Sequence, residues 1–120
     1  MRIVHVLGRI AFGAPFIVLG LDAAKEPGGR VKAVEALGIP QPELVVRANG
    51  AAMVAGGAAL ATGVLPRVAA AGLALSLAPT THAGHPYWRE TDPVVRGQQR
   101  IHFLKNVGLV GALLAYAAKR

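Results

Sequence analysis

The chain has 120 residues, 53% of them hydrophobic and only 16% charged, with a formal net charge of +7. Soluble domains carry about a quarter of their residues as charges; here the deficit lies in long uncharged runs, which reads as one membrane domain over 1–120 with the lipid bilayer as its first partner. The basic residues flank those runs, where headgroups lie, which argues against nucleic acid, and the lack of cysteine excludes disulfides, thiolate nucleophiles and iron–sulfur clusters.

The first apolar run covers residues 3–21. As a helix it is about 28 Å long, close to the ~30 Å hydrocarbon thickness. Arg9 interrupts its apolar core and Asp22 follows it, so it reads as a retained span rather than a cleaved leader. An ionisable group inside a span is costly and often functional, which makes Arg9 the sharpest single residue. His5, four residues earlier, shares its helix face. Asp22 lies roughly 20 Å further along and cannot pair with Arg9 within the same helix. The partner must come from another helix, a lipid phosphate, a quinone or another protein; otherwise Arg9 snorkels to the headgroups.

Residues 22–47 form a polar connection. Pro27-Gly28-Gly29 signals a turn, and Val31, Val34 and Leu37 recur at helical spacing up to Gly38. This pattern fits a short helix lying in the interface, and a solvated loop fits it equally. The second span, residues 44–65, has small residues at every fourth position: Ala51, Ala55, Ala59 and Gly63. A neighbouring ridge is Ala48, Ala52 and Gly56. Such ridges let helices approach closely in lipid, which makes this the expected central helix.

Pro66-Arg67 marks a turn into a third span over residues 67–82. Its uncharged part is about 21 Å as a straight helix, short for a crossing, and a re-entrant segment is the alternative. Pro79 is expected to break the helix near its far end. A polar stretch over residues 82–106 then holds three of the four histidines and the only tryptophan. It reads as an interfacial loop. The fourth span, residues 101–118, presents Gly108 and Gly111 as close-packing positions, with Tyr116, Lys119 and Arg120 as interface anchors. Four spans place both termini on one side. That side carries Arg2, Arg9, Arg67, Lys119 and Arg120 and no acid, while the other carries eight Lys/Arg and all six acids over longer loops, so raw positive count and net charge point opposite ways. Counting only basic residues near short loops, the expectation is that the termini are cytoplasmic.

Few residues carry chemistry. Lys105 and Asn106 stand at the expected entrance of the last span, where they would hold an anion or satisfy loop carbonyls. His82, His85 and His102 are possible imidazole ligands for zinc or copper, but no spacing fixes their geometry and no metal is assigned. His85, Tyr87, Trp88 and Arg89 would form the rim of a quinone pocket or, more plainly, a set of headgroup anchors. No flavin, nicotinamide or phosphate fingerprint occurs, and Ser76 has no local base, so no catalytic residue is assigned.

An ordered set of motifs resembles the DoxX family of small bacterial membrane proteins. The set is Arg9 early in the first span, GLDAAKEP at its exit, ALGIPQP before the second span, GVLPR after it, HPYW after the third, and QQRIHFLKNVGLVGALL at the last. Many members carry a glutamate partway along the second span; Met53 takes that place here, which removes the expected intramembrane partner of Arg9. The resemblance implies an all-α, integral membrane four-helix bundle in the bacterial plasma membrane. It also implies association with membrane oxidoreductase complexes. The first functional expectation is a non-enzymatic accessory or anchoring subunit of a redox or respiratory complex, with no cofactor of its own and with other membrane proteins, or a second copy, as partners. The second is a quinone-reactive subunit of an oxidoreductase. A small transporter ranks last, because only Arg9, Thr62, Ser76 and Lys105 would line a polar path.

Overall fold

The computed structural model describes residues 2–119, and these are helical almost throughout. Helix α1 runs Arg2–Lys25, α2 Gly29–Glu35, α3 Pro42–Thr62, α4 Pro66–Gly84 and α5 Pro93–Ala118, with a single 3-10 turn over Tyr87–Arg89 before α5. Arg120, one of the expected anchors, lies outside the described residues. Helices α1, α3 and α5 are long and apolar enough to cross a membrane. Helix α4 is 19 residues long and includes Arg67, Pro79, two threonines and His82; it does not reach that hydropathy.

The tightest contact in the molecule joins α1 and α3, which run antiparallel. Gly13 faces Gly57, and Gly20 faces Gly50. A Cβ on Gly20 would lie 2.6 Å from the Gly50 carbonyl oxygen, and one on Gly50 would lie 2.6 Å from that of Gly20. A Cβ on Gly57 would lie 2.7 Å from the Gly13 oxygen. Each partner thus leaves room only for a hydrogen, and the two backbones touch. In lipid, helix association rests on such packing rather than on expulsion of water. The glycines repeat at seven residues on both helices, so the seam runs straight along both. The four-residue ridge lies elsewhere: Ala51 and Ala55 are exposed, and Ala59 and Gly63 are half-buried. Gly108 and Gly111 have nothing within 4 Å of an added Cβ.

Helix α4 packs between α3 and α5 and supplies most of the core. Ala70, Leu73, Ala74 and Leu77 join Phe16 from α1, Leu60 from α3 and Leu113 from α5. Leu113 is the only fully buried residue of α5. Ile101, Leu104, Val107 and Leu114 of the same helix are each at least half exposed. That surface would promote aggregation in water and costs nothing against acyl chains.

Two boundaries differ from the sequence expectation. Helix α4 continues through Pro79 to Gly84. Proline removes one backbone donor, but the adjoining turns are reinforced: the Thr80 hydroxyl donates to the Ser76 carbonyl at 2.6 Å and the Thr81 hydroxyl to the Leu77 carbonyl at 2.7 Å. Helix α5 starts at Pro93 rather than near residue 101. Asp92 caps it, accepting from the Val94 and Val95 amides at 2.8 and 3.4 Å, and Pro93 fits the first turn. The polar stretch is therefore mostly helix, and only its middle is a connection. Helix α2 begins two residues earlier than the apolar spacing suggests and packs against α3.

Candidate functional sites at the two ends of the molecule

The polar side chains collect at two ends. The loop end comprises the C-termini of α1 and α4 and the N-termini of α3 and α5. The terminal end comprises the opposite extremities.

At the loop end, Gln99, His102 and Phe103 lie at i, i+3 and i+4 on one face of α5, turned toward the exit of α4 and the 3-10 turn. The Gln99 Oε1 stands 2.6 Å from His85 Nδ1. An amide oxygen only accepts, so in this pairing Nδ1 is the donor. His102 stacks on His85 with centroids 5.2 Å apart. Tyr87, Trp88 and Phe103 form a trio with centroids 5.3–5.5 Å apart and rings close to perpendicular, and His82 tilts against Trp88 at 5.4 Å. Edge-to-face contacts of this kind fix the rings more firmly than area alone. Trp88 is still 41% exposed. His85, Tyr87 and Trp88 are thus brought together, while Arg89 is exposed beside them. Among the described residues no group of three or more histidines and acids is placed to hold a metal ion.

Lys105 and Asn106 lie well inside α5, not at its entrance. Their backbone amides are used within the helix, so the helix-entrance anion site expected from the sequence is absent there. Lys105 is exposed and Asn106 half-buried.

Two polar arrangements were not picked out from the sequence. Arg47 closes the end of α1: its Nη1 donates to the Ala24 and Lys25 carbonyls at 2.6 and 3.4 Å, while Nε and Nη2 hold Glu43 at 3.2 and 3.1 Å. A cation at a helix C-terminus meets free carbonyls and the negative end of the dipole. Between α3 and α4, Ser76 Oγ donates to Asn49 Oδ1 at 2.7 Å, and Asn49 Nδ2 donates to Thr80 Oγ1 at 3.4 Å and to Met53 Sδ at 3.7 Å. The signal available was a lone amide and a lone serine, each within an apolar run.

At the terminal end, the Arg9 guanidinium lies against Gly63, the left-handed residue that ends α3. Its Nε is buried without a hydrogen-bond partner among the described residues. His5 stacks on Tyr116 with centroids 6.4 Å apart, and Arg67 Nε donates to the Ala117 carbonyl at 3.0 Å, tying the start of α4 to the end of α5. Met53 sits elsewhere, with its Cβ 2.9 Å from where a Gly20 Cβ would be. Ten residues of α3, about 15 Å, separate it from Gly63. A glutamate at position 53 would not reach Arg9, so the substitution there is not what leaves Arg9 unpaired.

An all-helical chain with three helices fit to cross a membrane, two of them in backbone contact, is a small membrane protein. It belongs to the DoxX family, whose model matches residues 4–86. The match takes in α1 to α4 and stops before the 3-10 turn and α5. No curated protein and no solved structure matches the chain.

Proposed function

We propose that this protein is an accessory or anchoring subunit of a larger redox or respiratory complex in the bacterial plasma membrane. In this reading α4 crosses the membrane with α1, α3 and α5, giving four spans with both termini in the cytoplasm. The loop end is the docking surface. The observation that carries the reading is the ordered cluster of His82, His85, Tyr87, Trp88, His102 and Phe103 at one end, with Trp88 still 41% exposed. Half-covered Trp and Tyr beside histidine suit a partner surface: they offer large contact area at low entropic cost. The test is purification in mild detergent followed by mass spectrometry. A stoichiometric membrane partner, lost in Trp88→Ala, is expected. Migration of the wild-type chain alone, as monomer or homo-oligomer, counts against the proposal.

One observation favours a second reading, a quinone-reactive subunit whose partner carries the redox chemistry. Gln99 holds the His85 ring through Nδ1 and leaves Nε2 free for a quinone or quinol oxygen beside Tyr87. Co-purified quinone that is lost in His85→Ala supports it; no quinone with either the wild type or the variant rejects it.

A further inference from the structure

We propose that the terminal end binds the phosphodiester headgroup of an anionic membrane lipid, with Arg9 as the central ligand. This site lies at the opposite extremity from the docking surface and does not depend on it.

The first support is the orphaned donor. Arg9 Nε is buried with no acceptor among the described residues. Nε itself is closed to an outside ligand, so the unpaired charge is left to the outer Nη1–Nη2 edge, where a charge-assisted bond to an anionic oxygen is among the stronger ones available. The second is the posture of the group. A Cβ on Gly63 would lie 2.9, 3.0 and 3.1 Å from Arg9 Nη1, Cζ and Nη2. Three nearly equal distances mean that the guanidinium lies flat on the last turn of α3. The group is packed against the end of α3. A planar fork held in this way matches two oxygens of one phosphate.

The third support is charge. Arg2, Arg67 and Lys119 share this end, and no aspartate or glutamate occurs in the sequence near it. The α3 C-terminus offsets only part of one charge. Among the described residues no carboxylate side chain stands at this end, so an external anion completes the site. The fourth is depth. Arg9 lies seven residues beyond Arg2, about 10 Å along α1, so with Arg2 among the headgroups it would stand where headgroups give way to hydrocarbon. The turn that follows Gly63 leads into a shallow, mainly apolar groove lined by Leu65, Pro66, Arg67, Val68, Ala71 and Ala117. We place the phosphate at Arg9 and an acyl chain along this groove, which makes the ligand a lipid rather than a free anion.

The test is native mass spectrometry of the full chain in detergent, with phosphatidylglycerol, phosphatidylethanolamine and inorganic phosphate as probes. Phosphatidylglycerol is expected to bind the wild type in preference to the other two. Its binding falls about tenfold in Arg9→Gln and in Arg9→Lys, which keeps the charge but loses the fork, and is unchanged in Arg100→Gln at the loop end. Circular dichroism melts confirm that each variant is folded; if Arg9→Gln is not, Arg9→Lys decides. Retention of phosphatidylglycerol by the Arg9 variants at wild-type level overturns the proposal, as does equal binding of phosphatidylethanolamine. Displacement of the lipid by comparable inorganic phosphate identifies a free-anion site and overturns the lipid assignment.

Discussion

Gly63 forms the floor under the Arg9 guanidinium: a Cβ at that position would fall 2.9 Å from Nη1. The two requirements on this glycine are separable. It ends α3 at φ 80°, and it leaves space for a charged group beside the terminal carbonyls. Gly63→Ala pays the left-handed cost, about 1 kcal/mol, in any background. In the wild type it also displaces Arg9. A double-mutant cycle with Arg9→Ala, read by thermal unfolding in detergent, is expected to show coupling of about 1 kcal/mol or more. Additivity would mean that the contact has no energetic weight.

The paired glycines of α1 and α3 predict an ordered series. Gly57→Ala drives a Cβ against the Gly13 carbonyl, and backbone cannot swing aside. It is expected to lower stability by about 1–3 kcal/mol. Gly56→Ala meets the Leu73 side chain, Cδ2 at 2.9 Å and Cγ at 3.0 Å, in place of backbone, and should cost less because a side chain can shift by a rotamer where a carbonyl cannot. Gly111→Ala meets nothing within 4 Å and should stabilise α5 by up to about 1 kcal/mol through helix propensity. Unfolding midpoints of the three variants check the order.

The same glycines show how far the sequence could be read. Helix class, the three helices long and apolar enough to cross a membrane and the two-ended charge distribution follow from composition and period, because lipid demands long apolar runs. Family membership was legible in motifs such as GLDAAKEP and GVLPR, and the matched stretch contains both. The packing face was not. Small residues are so dense in α3 that several ridges satisfy a period of four, and only the facing helix selects Gly50 and Gly57. The polar stretch misread as a loop hid a helix start at Asp92-Pro93, a capping signal outweighed by the charges that follow it. At the candidate sites, sequence spacing brought out His85, Tyr87 and Trp88. Gln99 and Phe103 were missed because their partners come from another helix.

The Asn49–Ser76 pair is expected to hold α3 to α4 only modestly. Hydrogen bonds between membrane helices average about 0.6 kcal/mol, because the separated helices also find partners. Here Ser76 has a carbonyl one turn back to fall on when Asn49 is removed. Asn49→Leu and Ser76→Ala should each cost less than about 1.5 kcal/mol, with a coupling near 0.6 kcal/mol in the double-mutant cycle. A coupling several times larger would assign the pair a role beyond adhesion between the helices.

Leu65 predicts a gain. It precedes Pro66 with φ 43°, a left-handed conformation that a branched aliphatic side chain adopts at a cost of about 1–2 kcal/mol. Its side chain is 70% exposed, so little packing within the chain offsets that cost. Asparagine tolerates the same conformation because its short polar side chain bonds locally. Leu65→Asn is therefore expected to raise stability by about 0.5–1 kcal/mol, read as a higher unfolding midpoint in detergent. Gln41, at φ 51° before Pro42, stands in the same position at the start of α3, and Gln41→Asn should act in the same direction. A loss in Leu65→Asn with a gain in Gln41→Asn would show that Leu65 anchors the terminal end in the bilayer, an apolar contribution that the turn conformation alone does not contain.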